Sequence, residues 1–196
     1  MVNPQTPMGK ADLTVMLQDL METVSAAGQC LFTTYAFLPS PAVKNPNAWY
    51  VKAVCKVIPF SGPVVRLLHK MPEIACFHLP VIFDQSKALK YATGMPVTFG
   101  SFFKCGKRAF TLERHINSRF GISRKDDSLP GRLTDVPQVE GDDSTRVPLE
   151  KMKSVYYRAR GWTQNGIPTP KTLKRLNLDK LASYQDTCKA FKEGGL

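Results

Sequence analysis

The side chains best suited to chemistry are few and scattered. Five cysteines stand at positions 30, 55, 76, 105 and 188. None belongs to a CxxC pair, so the spacing writes no self-contained zinc or iron–sulfur site. His69 and His78 have no partner at ligand spacing and read as packed or surface residues. Asp126 and Asp127 are adjacent, so in extended chain they point apart. A pair of carboxylates working as acid and base must converge. They read instead as backbone caps or as partners for Arg and Lys. Cys30 is placed differently. It lies two residues beyond Gly28, a helix stop able to take the left-handed conformation. A cysteine is often simply a small buried apolar residue, but a thiolate on such a turn could also reach a metal cluster or cofactor.

The element that delivers Cys30 is the stretch from Ala11 to Cys30. Leu13, Met16, Leu17, Leu20, Met21 and Val24 recur at three- and four-residue steps and predict one apolar helical face. Asp12 is the candidate cap. Residues 39–48 form a proline-rich loop. From Trp49 to Phe60, alternation of Val51, Ala53, Cys55 and Val57 with their neighbours favours a strand over a buried helix. VVRLLHK, residues 64–70, reads as a short helix. Asp84 is expected to cap a helix that Gly94 stops. Thr98 then caps a long helix over roughly 99–119, with Phe99, Phe102, Phe103, Gly106, Ala109, Phe110, Leu112 and Ile116 as its core stripe. A glycine inside a helix costs about 1 kcal/mol against alanine, so Gly106 signals close approach of a second helix.

Residues 121–148 are rich in Gly, Pro, Asp and Ser and predict a long segment hugging the surface. Leu149, Met152, Val155, Tyr156 and Ala159 mark another helix, which Gly161 stops. Asn165-Gly166 is a turn. Thr169-Pro170 opens a short helix anchored by Leu173, Leu176 and Leu178. A last helix carries Leu181, Tyr184, Cys188 and Phe191 inward. The whole predicts a mainly α, irregular multi-helix domain over residues 1–196 with long Pro/Gly-rich connections.

The chain has 196 residues, 43% hydrophobic and 22% charged. That composition is globular, and the length can bury a core without disulfides. The dispersed cysteines suit a reducing, cytoplasmic setting. The opening MVNPQTPMGK has no apolar signal core, and the apolar runs are too short and broken to predict a membrane helix. Lys and Arg outnumber Asp and Glu 27 to 16, a net charge of +11. Seven basic residues and no acidic one lie between Lys151 and Arg175, interleaved with Tyr156, Tyr157 and Trp162. That pattern is shared by nucleic-acid faces. The expectation here is solubility and helix-dipole pairing, with nucleic-acid binding as the alternative.

GKRAFTLERHINSRFGISRKDDSLPGRL, from Gly106, resembles the late segment of the aldehyde ferredoxin oxidoreductase family, tungsten- or molybdenum-pterin enzymes. In that family a Gly-Glu-Arg helix runs into Arg-x-Phe-Asn-x-Arg-Glu-Gly and then Arg-x-Asp-Asp-x-Leu-Pro. Gly106, Arg108, Arg114, Asn117, Arg119, Gly121, Arg124, Asp126, Asp127, Leu129 and Pro130 match. The tail resembles Tyr-Tyr-x-x-Arg-Gly-Trp-x-x-x-Gly-x-Pro-Thr through Tyr156, Tyr157, Arg160, Gly161, Trp162, Gly166, Pro168 and Thr169. Ala92-Thr93-Gly94 fits as well.

The resemblance implies the family's C-terminal helical domain and re-reads the opening. Ser25 to Cys30 fall on the family's Asp-x-x-Gly-Leu-Cys segment; Gly28 and Cys30 match, while Ser25 replaces the aspartate and Gln29 the leucine. By that likeness Cys30 is one ligand of a shared 4Fe–4S cluster, and Ser25, Gly28 and Gln29 touch a tungsten or molybdenum bis-pterin. The other cluster cysteines and the sheet-rich pterin domain lie upstream in the family. The chain is therefore expected to be a C-terminal fragment or split subunit of an aldehyde:ferredoxin oxidoreductase, without catalytic residues of its own. Its expected partners are the N-terminal part, ferredoxin and an aldehyde. The rival expectation is a non-catalytic helical module binding protein or nucleic acid through its basic surface.

Overall fold

The computed structural model describes residues 10–28, 30, 45, 47–57, 62, 63, 67 and 80–182. Among them there is no strand, only the isolated bridges Val139–Asp142 and Trp162–Pro168, so the mainly α expectation holds. The helices are α1 (Lys10–Ala26), α2 (Trp49–Val57), α3 (Pro80–Thr93), α4 (Phe99–Arg119), α5 (Gly131–Thr134), α6 (Leu149–Arg160), α7 (Pro170–Arg175) and α8 (Asp179–Ala182). A 3₁₀ turn, Asp143–Thr145, precedes α6. His69, His78, Tyr184, Cys188 and Phe191 lie outside the described residues.

The centre of the fold is the packing of α1 on α4, with α6 laid against α1. α4 begins on a capping box: Ser101 N–H donates to the Thr98 hydroxyl at 3.2 Å, and Thr98 N–H donates to the Ser101 hydroxyl at 2.9 Å. Two orphan N–H groups are thereby satisfied at the predicted start. Phe102, Phe103 and Gly106 are buried as the stripe predicted, whereas Ile116 is exposed. Gly106 is the crossing point. A Cβ built there would overlap the Asp19 carbonyl and the Thr23 hydroxyl, and would sit 2.5 Å from the Thr23 amide nitrogen. Only a residue without a side chain permits that contact.

This approach shifts the expected face of α1: of the predicted stripe Val24 is buried and Leu13, Met16 and Leu20 are half-buried, but Leu17 and Met21 point outward. Val15, Asp19, Thr23 and Val24 are buried. Leu17 and Met21 remain 42% and 38% exposed. Backbone meets backbone at Gly106, so the residues against α4 are those on the Val15–Asp19–Thr23 line, where large side chains would not fit. α1 also starts earlier than predicted, which places Asp12 in its first turn rather than at its cap.

Trp49 to Val57 is helical, not extended. Val51, Val54 and Cys55 also fit a three- and four-residue step, and over nine residues that competes evenly with the alternation. α3 begins at Pro80, with Asp84 inside it rather than capping it. Proline at a first helical position needs no N–H partner. Gly94 closes α3 at φ +70°. In α6 the fully buried residues are Tyr157 and Arg160, while the expected Met152, Val155 and Tyr156 are half-buried. Leu173, Leu176 and Leu178 form the small core under α7, with Leu112 of α4 packed on it.

Candidate functional site

Two sets of residues concern function: the segment ending at Cys30, and the polar network that holds α1 in place. Ser25 and Gly28 are exposed where α1 ends. The Gly28 N–H donates to the Ser25 carbonyl at 3.0 Å, and Gly28 has φ +71°. That is the left-handed stop the sequence predicted. Gln29 lies outside the described residues, and Cys30 beyond it is exposed. Ser25, Gly28 and Cys30 are thus all exposed, at or just beyond the C-terminal end of α1. Cys105 is exposed on α4. No group of three or more His, Cys, Asp or Glu able to hold a metal occurs among the described residues.

The network begins with Asp19 and Arg160, 0% and 2% exposed. They form a buried ion pair between α1 and α6. Arg160 also donates to the Gln18 side-chain oxygen at 2.7 Å, as does the Tyr156 hydroxyl. Its guanidinium lies 4.1 Å from the centre of the Phe110 ring, a cation–π contact in desolvated surroundings. Burial pushes the Tyr156 hydroxyl above its usual pKa, so it remains a neutral donor. The Thr23 hydroxyl donates within α1 to the Asp19 carbonyl at 2.6 Å and reaches across to the Phe103 carbonyl of α4 at 3.4 Å. α1 is therefore fixed on one side to α4 and on the other to α6.

A second knot ties α4 to the segment after it. Arg114 makes a bidentate bond to Asp127, at 2.8 and 2.6 Å, and donates to the Gly166 carbonyl at 2.8 Å. The Tyr157 hydroxyl donates to the same Asp127 carboxylate. Partial burial opposes ionisation of Asp127, but Arg114 and Tyr157 outweigh it and hold its pKa below the ordinary value. Burial first, then the adjacent Asp127, raises the Tyr157 hydroxyl. Asp126 accepts from the Ser123 N–H at 2.8 Å. The two aspartates are thus a partner for Arg and a backbone cap, as their adjacency predicted. A cavity of about 340 Å³ lies where these elements meet, lined by Gln18, Phe110, Arg114, Asp127, Tyr157 and Trp162 among others. Arg114, Asp127 and Tyr157 are satisfied by one another, and the network holds α4, α6 and the intervening segment in position.

The aromatic residues between the basic ones are packed inward. Tyr157 and Trp162 are buried, their ring centres 6.2 Å apart. Trp162 is also stacked on Phe110.

The description "Aldehyde ferredoxin oxidoreductase, domains 2 & 3" matches residues 1–178 of the sequence. The chain belongs to the aldehyde ferredoxin oxidoreductase family. Its helical architecture is that of the family's C-terminal part. The tungsten-containing aldehyde ferredoxin oxidoreductase of Pyrococcus abyssi is 27% identical over 173 residues, 87% of this chain and 21% of that protein. The enzyme of the same name from Thermococcus kodakarensis is 27% identical over 165 residues, 83% and 20% of the two chains. The chain therefore spans about a fifth of the length of these relatives. Among solved structures, the active site complex BamBC of benzoyl coenzyme A reductase with 1,5 dienoyl-CoA aligns with 59% of this chain and 16% of that one, at 28% identity and a TM-score of 0.43.

Within the aldehyde ferredoxin oxidoreductase frame, Gln18 and Asp19 are the residues that sequence reasoning missed; Arg160 was matched to the family's closing motif, but its partners on α1 were not foreseen. Asp19 sits one helical turn from both Val15 and Thr23, on the face that meets Gly106. An acid there, opposite a helical glycine, was the available signal.

Proposed function

We propose that this chain serves as the C-terminal helical part of an aldehyde:ferredoxin oxidoreductase, working with a sheet-rich part that carries most of the cofactor shell. A 4Fe–4S cluster needs soft thiolate ligands, usually four. The described residues offer one at the position the family resemblance marks, so the fit is that of a single-ligand donor. Cys30 would hold one iron, and Gly28 and Gln29 would present backbone to the pterin, with the Ser25 hydroxyl beside them. In such an enzyme the bound tungsten or molybdenum bis-pterin supplies two-electron chemistry, by which an aldehyde and water give a carboxylic acid, and the cluster relays those electrons singly to ferredoxin.

This chain's share is positional. Gly106 lets α1 lie directly on α4, and Arg160 pins Asp19. Gly28 then stops the helix, and Cys30 follows on backbone released from helical bonding. The observation that carries the reading is that Cys30, just beyond the end of α1, is exposed rather than buried. The test is co-expression with the sheet-rich part, then iron and tungsten analysis of the purified complex. Cys30→Ser is expected to lower iron content while the two parts still co-purify. Equal iron in both forms would remove Cys30 from the site.

A further inference from the structure

Of the seven basic residues between Lys151 and Arg175, the fold turns two inward. Lys153 donates to the Arg124 carbonyl and pairs with Glu150. Arg160 is buried with Asp19. Lys151, Arg158, Lys171, Lys174 and Arg175 stay exposed, and none belongs to a salt bridge among the described residues. Lys151 stands apart in the first turn of α6, and the other four collect where α6 ends. The Thr172 hydroxyl donates to the Gly161 carbonyl at 2.7 Å, which seats α7 against the last turn of α6. The Arg175 guanidinium lies 3.6 Å from where a Gly161 Cβ would be. α7 buries Thr172 and Leu173, so Lys171, Lys174 and Arg175 share its outer side.

Helix dipoles explain only part of this cluster. Arg158, Lys174 and Arg175 lie in last turns, where a cation is favoured. Lys171 lies in the first turn of α7, where the dipole opposes it. We infer that this α6–α7 patch docks a carboxylate-rich face of a partner protein. The chain's charge of +11 steers such a partner from a distance, and unpaired cations on anchored helix ends are already positioned to meet it.

A nucleic acid suits the patch less well. Among the described residues, Tyr157 and Trp162, which are interleaved with these charges, are buried and offer no stacking platform. The patch sits largely at the carbonyl ends of two helices, whereas phosphates are cradled by N–H ends. The inference stands apart from the redox proposal and does not need it.

The test uses the full 196-residue chain with two probes, poly-L-glutamate and a short DNA duplex, titrated across a range of salt. Binding to poly-L-glutamate is expected to weaken as salt rises. The triple variant Arg158→Gln/Lys171→Gln/Lys174→Gln is expected to lose about tenfold in affinity at low salt. The control Lys104→Gln/Lys125→Gln/Arg132→Gln, which removes the same charge elsewhere, should stay within about threefold. Arg158→Lys/Lys171→Arg/Lys174→Arg should bind as wild type, which separates charge from folding. Equal loss in the patch and control triples, no binding to poly-L-glutamate, or tighter patch-dependent binding of the duplex would each overturn the inference.

Discussion

Replacing Gly106 with alanine tests the contact on which the placement of Cys30 depends. Taken alone, the substitution should help, since alanine is favoured over glycine in a helix by about 1 kcal/mol. The crossing with α1 reverses the sign. The new Cβ would meet the Asp19 carbonyl, the Thr23 hydroxyl and, at 2.5 Å, the Thr23 amide nitrogen. The Asp19 and Thr23 backbone atoms cannot rotate away. Ordinary contact begins near 3.4 Å, so the helices must part by about 1 Å along much of their interface. Overpacking of this kind costs about 1–3 kcal/mol, and rigid backbone puts it at the upper end. The net expectation is a loss of about 2 kcal/mol. For a chain of this size that is a fall in Tm of about 4–8 °C. Urea denaturation should show a lower midpoint with an unchanged slope. Gly106→Val should cost more. An alanine variant as stable as wild type, or more stable, would refute the close crossing and with it the account of how α1 is held.

Asp19→Asn should cost about 3–5 kcal/mol, because it strands a buried guanidinium; adding Arg160→Met should cost much less than a second such loss, and a double-mutant cycle measures the difference. Gly166→Ala should destabilise, since φ is +75° and the added methyl would collide with the Arg114 guanidinium; chemical denaturation reads this directly. Asp127 has a folded pKa below its ordinary 3.8, so its contribution is complete above about pH 5 and is lost as pH falls through the ordinary value to the lower folded one. Asp127→Asn should therefore be less stable at neutral pH and show a shallower loss of stability on acidification, followed by circular dichroism. Thr98→Ala should remove the capping box of α4 at a cost of about 1 kcal/mol, seen as a lower urea midpoint.

Much of this fold was legible before any coordinates. Thr98, Gly161, Asn165-Gly166 and Thr169-Pro170 act through bonds made within a few residues, so their types and order suffice to place the ends of α4, α6 and α7. Gly28 likewise predicted the stop before Cys30. Where local signals competed, the reading failed. Nine residues from Trp49 to Val57 carry both a strand and a helix pattern, and Pro80 opens α3 where Asp84 was expected to cap it. The largest error was on α1, where Val15, Asp19 and Thr23 are buried beside the predicted Val24 while Leu17 and Met21 are exposed.

The sequence alone determined where helices stop, that Gly106 had to mark a crossing, and that Cys30 emerges from a terminated helix. It did so because caps, turns and periodicity are short-range physics. Only the tertiary structure decided which side of α1 faces inward, that Asp19 finds Arg160 141 residues away, and that Arg114 and Tyr157 converge on Asp127. Those choices depend on how closely two backbones can approach and on which buried charge finds a partner. Neither quantity is written at any single position in the chain.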